Sequence, residues 1–177
     1  EVAQEVGADP ERVVVFHSLS KRSNLPGLRS GFVAGDPAIL GRYRKYRSYH
    51  GSAMSIAAQR ASVAAWGDEA HVRANRALYR EKFDTVGRIL GQHVALERPA
   101  GGFYLWLDVG GDDERYTREL YERTHVTVLP GRYLSRAGAG SDPGAGRVRI
   151  SLVADIEQCA EAARRIAAHA STWHGFE

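Results

Sequence analysis

The residues most able to do chemistry lie in one stretch, Ser18-Leu19-Ser20-Lys21-Arg22-Ser23-Asn24-Leu25-Pro26-Gly27-Leu28-Arg29-Ser30-Gly31. Lysine is scarce in this chain: of 24 basic residues only Lys21, Lys45 and Lys82 are lysines. An amine that forms a Schiff base must be neutral, which calls for a fixed, partly desolvated position. A phosphate-bearing cofactor calls for hydroxyl donors and a planar guanidinium. Lys21 can be that amine, and Ser18, Ser20 and Arg29 can be those donors. A Ser-x-Ser-Lys string by itself fits a solvated polar loop equally well. A second candidate is Arg149 in Arg147-Val148-Arg149-Ile150-Ser151. A guanidinium fork on a rigid strand suits a planar carboxylate, though the same residue can be a plain solvent-facing strand position.

Other constellations carry less. Arg42, Arg44, Lys45 and Arg47 interleave with Tyr43, Tyr46 and Tyr49, a pattern a nucleic-acid surface would also show. The tyrosines recur every three residues, so the spacing predicts a packed tyrosine face and a solvated basic one. Seven histidines form no His-Glu-x-x-His motif, and no metal site is expected. Neither a Gly-x-Gly-x-x-Gly nor a Walker lysine motif is present. Asp112-Asp113-Glu114 reads as a helix cap, and Cys159 as a packed core thiol.

The elements that must position these residues alternate along the chain. Asp9-Pro10 marks a turn before a short buried strand at 12–17, and 18–31 is a Gly/Pro-punctuated loop. A second short strand, 32–34, precedes a helix capped by Asp36 with Pro37 at its first position, running to about Tyr49. An alanine-rich helix spans about 54–66. Gly67 breaks it, and Asp68 caps a long helix whose apolar positions are Val72, Tyr79, Phe83, Val86 and Leu90, ended by Gly91. Strands are expected at 93–97, 103–109, 126–129 and 147–153, with a helix at 114–124 and a glycine-rich loop at 132–146. Asp155 caps a last helix to about 170, with Ile156, Ala160, Ala163, Ile166 and Ala167 inward. The mixture indicates an α/β or α+β class.

Composition fits a globular chain: 177 residues, 44% hydrophobic, 25% charged, net charge +3. There is no apolar run of membrane-spanning length and no leader-like start. One cysteine excludes an internal disulfide and fits a reducing compartment, so a cytoplasmic location is expected. The two short early strands cannot form a sheet of their own, and the chain begins at Glu1 rather than methionine, so a preceding portion is expected.

The whole lysine string resembles the cofactor-lysine motif of the class I/II (fold-type I) pyridoxal-phosphate-dependent aminotransferases. In that family a phosphate-binding serine stands three residues before the Schiff-base lysine and a phosphate-binding arginine eight after it. Ser18, Lys21 and Arg29 match all three. Gly101-Gly102-Phe103-Tyr104 resembles the family turn near the substrate, Val128-Leu129-Pro130-Gly131 its Val-x-Pro-Gly loop, and Arg149 its carboxylate-binding arginine. The wording of 18–36, 49–55, 64–83, 101–106, 126–134 and 147–153 is similar to the N-succinyldiaminopimelate aminotransferases of bacterial lysine biosynthesis.

The resemblance implies an α/β fold, with the end of the large domain at 1–66 and an α+β small domain at 67–177. It implies pyridoxal 5'-phosphate as cofactor, held by Ser18, Ser20, Lys21 and Arg29, and transfer of an amino group from a small-molecule donor to 2-oxoglutarate. A homodimer with its active site near the subunit interface is expected, with no nucleic acid, membrane or metal. Arg22 and Arg132 are candidates for a donor's distal groups, against their reading as plain surface arginines. Another aminotransferase of the class (aromatic, alanine or kynurenine type), or a β-lyase of the same fold, shares Lys21 and Arg29. A nucleic-acid module built on 42–49 is the reading from another class. Family members are about twice as long, and their groups for the pyridine ring precede the lysine, so they have no counterpart here.

Overall fold

A computed structural model describes residues 12–51, 53–138 and 140–176; the Asp9-Pro10 turn lies outside them. The chain divides into two compact units, Glu1–Asn75 and Arg76–Glu177. The division falls inside the long helix, beyond the Gly67 break.

In the first unit, strand β1 (Val14–Ser18) pairs antiparallel with β2 (Gly31–Gly35), Phe16 opposite Val33 and Ser18 opposite Gly31. Between them lie the one-turn helix α1 (Leu19–Arg22) and a 3-10 turn, Pro26–Leu28. Helix α2 (Pro37–Arg47) begins as expected, with the Asp36 carboxylate accepting from the Ala38 and Ile39 amides. Helix α3 (Ile56–Gly67) is capped by Ser55, whose hydroxyl accepts from the Ala58 amide. The long helix α4 (Ala70–Leu90) starts where the Asp68 carboxylate accepts from the Ala70 amide.

The second unit is a three-stranded antiparallel sheet covered by helices. Its strands β3 (Tyr104–Asp108), β4 (Leu129–Pro130) and β5 (Arg147–Ser151) lie in the order β3-β5-β4. Period-two alternation sends Leu105, Leu107, Val148 and Ile150 inward. They join Phe83, Val86 and Leu90 of α4, Tyr116 and Leu120 of α5 (Asp113–Thr124), and Ala163, Ile166 and Ala167 of α6 (Ile156–Ala170) in one core. Each fully enclosed leucine there contributes about 1.5–3 kcal/mol of burial free energy.

Several expectations are corrected. The two early strands do pair as a two-stranded sheet, and the first is not buried: Val15 and Phe16 are 51% and 68% exposed, because it has one neighbouring strand only. The tyrosine face of α2 does not pack as a stripe. Tyr43 alone is half-buried, edge-on to Phe16, while Tyr46 and Tyr49 stay in solvent and Tyr46 stacks on His50. No strand forms at 93–97, where Val94 instead folds under the core behind a turn hydrogen-bonded to Leu90. The strand expected at 126–129 is reduced to Leu129–Pro130, paired opposite Arg149 and Val148, and residues 126–128 find no ladder partner. Ile156 is half-buried rather than inward, whereas Cys159 is the packed core thiol expected, its Sγ facing the Ala154 carbonyl.

Candidate cofactor and carboxylate sites

Ser18 closes β1 and caps α1. Its extended backbone lets the hydroxyl accept from the Ser20 amide at 3.3 Å, leaving its own hydrogen to donate outward. Leu19 is fully buried and acts as the pin of this turn. Its amide donates to the Ser30 carbonyl, and its carbonyl accepts from the Ser23 and Leu25 amides at 3.1 and 3.2 Å. Lys21 therefore rides on a turn held from both ends. Arg29 sits in the left-handed region (φ 49°, ψ 36°), a conformation that costs a non-glycine residue on the order of 1–2 kcal/mol. The turn that imposes it is closed by the Arg29 amide on the Pro26 carbonyl at 3.3 Å, and the Arg29 guanidinium donates to the same oxygen at 3.1 Å.

These residues share one cleft. Ser18, Lys21 and Arg29 line a volume of about 780 Å³ together with Phe16, Phe32 and Tyr43. That is within the size range of small-molecule sites, roughly 300–1,000 Å³. Ser20 does not line it; its amide supports Ser18 instead. A hydroxyl, a guanidinium with unspent N–H donors and a primary amine in one cleft are the donor set that a phosphorylated aldehyde requires. Lys21 is exposed, not partly desolvated as expected, and Arg29 is exposed too; the described walls, from β1, α1, the Arg29 turn, β2 and α2, leave the cleft open.

Arg149 lies in the second unit, on β5 between Trp106 of β3 and Leu129 of β4. It faces away from the core, while Val148 and Ile150 point into it. It is half-buried, with its guanidinium carbon 5.6 Å from the centre of the Tyr104 ring. Its Nε is enclosed and has no hydrogen-bond partner among the described residues. A half-buried guanidinium near an aromatic ring and holding an unspent Nε donor is suited to a carboxylate.

The two arginines offered as distal contacts are both held in ion pairs, although Arg22 also lines the cleft. Arg132 donates from Nε to the buried Asp113 carboxylate at 2.7 Å, and its Nη2 lies 3.3 Å from Asp112. Asp113 is thus a buried ion-pair partner rather than a helix cap; Asp112 alone caps α5. Arg22 is only 7% exposed and pairs with Glu69. Sequence reading missed the contact network of Arg22, because its partners lie more than forty residues away in the chain. It missed Phe16, Phe32 and Tyr43 as cleft walls for a similar reason: apolar residues in a strand or helix read first as core.

Among the described residues no group of three or more His, Cys, Asp or Glu could hold a metal ion, and no helix is long and apolar enough to cross a membrane. Comparison with known proteins is consistent along the chain. It is 33% identical over 168 residues to an LL-diaminopimelate aminotransferase of Nitratidesulfovibrio vulgaris, covering 92% of this chain and 42% of that protein. It is 50% identical to an aminotransferase from Neisseria meningitidis of known structure, with a TM-score of 0.88, covering 97% of this chain and 43% of the other. A probable N-succinyldiaminopimelate aminotransferase from Thermus thermophilus superposes with a TM-score of 0.78 at 35% identity, over 90% of this chain and 42% of that one. The chain thus spans about two-fifths of the length of the relatives it matches. The sequence profile of the aminotransferase class I and II family matches residues 1–166, and the chain belongs to that family, with the fold-type I architecture of its structural neighbours.

Proposed function

We propose that this chain supplies the lysine-bearing end of the cofactor domain and the small domain of a pyridoxal-phosphate-dependent aminotransferase. The observation that carries the reading is the meeting of Ser18, Lys21 and Arg29, matched to the family motif, in one cleft. Pyridoxal phosphate, when bound, supplies an aldehyde for condensation with amines and a pyridinium ring that accepts electron density from the substrate Cα. Arg29 and Ser18 bind its phosphate by charge-assisted hydrogen bonds. Lys21 would hold the aldehyde through Nζ and, as a free amine, would move the proton from the substrate Cα to the cofactor's C4′ carbon. Arg149 orients the α-carboxylate of amino donor and keto acid alike, which fixes the bond to be broken by position rather than by strength.

The donor proposed is N-succinyl-diaminopimelate, with 2-oxoglutarate as acceptor, in a cytoplasmic homodimer. The wording of the motifs and the likeness to the Thermus protein support that choice. LL-diaminopimelate without the succinyl group is the competing donor, favoured by the Nitratidesulfovibrio relative. The test uses the full-length protein loaded with pyridoxal phosphate. Borohydride reduction should place the cofactor's mass on the peptide carrying Lys21, and Lys21→Ala should abolish both label and turnover. A Lys21→Ala enzyme with normal turnover would refute the reading. Relative kcat/KM for the two diaminopimelate donors, aromatic amino acids, alanine and cystathionine decides the substrate.

A further inference from the structure

Arg22 follows Lys21 directly, and three of its five N–H donors are used within the first unit. One Nη1 donates to the Ala65 carbonyl at 3.0 Å, at the end of α3, and to the Ser23 hydroxyl at 3.2 Å. Nη2 pairs with the Glu69 carboxylate. The flat face lies 4.9 Å from the centre of the Trp66 ring. Trp66 in turn contacts His17 of β1 at 5.4 Å and Phe32 of β2 at 5.0 Å, so the ring under Arg22 is wedged against the strands that border the cleft. Ser23 is buried and is held a second time, by His71 Nε2 at 2.9 Å, while His71 Nδ1 meets Asp68 at 2.7 Å. The backbone after Lys21 is therefore tied to α3 and to the start of α4 by side chains, whereas before Lys21 it is tied by Leu19 and Ser18.

This arrangement is more than a surface ion pair needs. An exposed arginine–glutamate pair wavers between partners and water. Here the guanidinium has an aromatic face beneath it, a carbonyl, a hydroxyl and a carboxylate around its edge, and only 7% of its side-chain surface left to solvent. Four contacts in different directions fix both the position and the tilt of its plane. Since α1 is a single turn, any shift of Arg22 rotates its neighbour Lys21.

We propose that Arg22 is a positioning residue for Lys21: clamped on Ala65, Trp66, Glu69 and Ser23, it sets the direction of the one-turn helix that carries the amine, and so acts through Lys21. The proposal rests on the reading of Lys21 as the cofactor lysine. It competes with the alternative that Arg22, which also lines the cleft, binds a donor's distal carboxylate; three of its five N–H donors are already given to Ala65, Ser23 and Glu69.

The test uses the full-length apo-protein and the loaded enzyme. In the apo-protein, the rate at which pyridoxal phosphate is captured at Lys21 is followed by absorbance and by the borohydride-trapped mass. Affinity for pyridoxamine phosphate, which has no aldehyde, reports the phosphate cup alone. Arg22→Met should slow capture and lower kcat by about tenfold or more, the scale of a small misplacement of a reacting group. KM for donor and for 2-oxoglutarate, and affinity for pyridoxamine phosphate, should stay within about twofold. Arg22→Lys should recover part of the loss, since an ammonium can serve Glu69 or Ala65 but cannot lie flat on Trp66. Should Arg22→Met not fold, Arg22→Lys and Glu69→Gln carry the same measurement, each expected to slow capture by roughly threefold or more with KM unchanged. Unchanged capture in all variants overturns the proposal, as does a rise in KM confined to a dicarboxylic substrate. Absence of capture at Lys21 in the parent protein refutes the cofactor reading itself, and is told apart by occurring before any substitution.

Discussion

Removing the Asp113 side chain should cost the second unit more than any other surface-adjacent substitution. The carboxylate is fully enclosed at the start of α5. Its Oδ1 accepts from Arg132 Nε at 2.7 Å and lies 2.6 Å from Arg132 Nη2, and more weakly it meets the Gly146 amide at 3.4 Å. Its Oδ2 accepts from the Arg132 amide at 3.1 Å. Asp113→Ala strands these donors. One charge-assisted pair at about 1.5–3 kcal/mol and one good backbone bond at about 0.5–1.5 kcal/mol sum to roughly 2–4.5 kcal/mol. The Arg132 side chain is 35% exposed and can turn to water or to Asp112, which moves the expectation toward about 3 kcal/mol. Asp113→Asn keeps the volume and one acceptor and should lose about half as much. Equilibrium urea unfolding of the parent and both variants measures this directly. A loss under about 1 kcal/mol for Asp113→Ala would refute the argument that this pair pins the Pro130-Gly131 turn. The pH dependence adds a sign. Burial pushes the Asp113 carboxyl up, but the bonds from Arg132 and the Gly146 amide outweigh it and hold it below the usual carboxylate range. Its contribution is therefore complete at neutral pH and is lost as acidification passes through the depressed folded-state value; in Asp113→Asn that part of the acid loss should vanish.

Further outcomes follow from the same contacts. Arg29→Ala should weaken cofactor affinity roughly ten- to hundredfold with a smaller effect from Ser18→Ala, read by titration of the full-length apo-protein. Arg149→Ala should raise KM and lower kcat for both amino donor and 2-oxoglutarate with the cofactor absorbance unchanged, and Arg149→Lys should fail substantially too; steady-state kinetics in which only one co-substrate suffers would contradict its role. His169 is enclosed against Tyr116 and Trp173, and burial, with Arg123 adding to it and Glu119 opposing, pushes its imidazole below the ordinary value. The folded protein thus holds it neutral, so stability should be full above about pH 6.5 and fall as pH drops below it, and denaturation curves of His169→Gln should show a shallower fall.

The helices were legible because their ends are written locally. Asp36, Ser55, Asp68, Asp112 and Asp155 each hold the first free amides of a helix, and an N-cap needs only the few residues around it. The strands were less so. Residues 93–97 alternate in hydrophobicity without finding a ladder partner, and 126–129 has strand composition but pairs only at Leu129 and Pro130. Pairing depends on what lies alongside, and that information is far away in the chain. The turn at Gly131 shows the same limit. A Cβ there would overlap the carbonyl oxygens of Gly144 and Arg147, so glycine is required by residues that only the folded loop brings near.

The candidate site divides along the same line. That Ser18, Lys21 and Arg29 share one cleft was readable because all three lie in one short stretch, so spacing in sequence is nearly spacing in space. What the spacing left out is how that turn is held. Arg22 looked like a spare cation, and Arg132 like another, because an arginine's assignment depends on which carboxylate reaches it: Glu69 for the first and Asp113 for the second. Both prove to be ties between elements, and each lies next to a motif read from sequence, Arg22 beside Lys21 and Arg132 beside Pro130-Gly131. A chemical group taken from one turn must still be held against the rest of the fold, and an arginine suits that task, since its five donors can hold several elements at once while its charge is met by one of them. Loosening the Arg132 tie should therefore reach β5 through the Leu129–Arg149 pairing. In the full-length enzyme, Asp113→Asn should raise KM for carboxylate substrates at a temperature where the protein remains folded, and an unchanged KM there would confine Asp113 to stability alone.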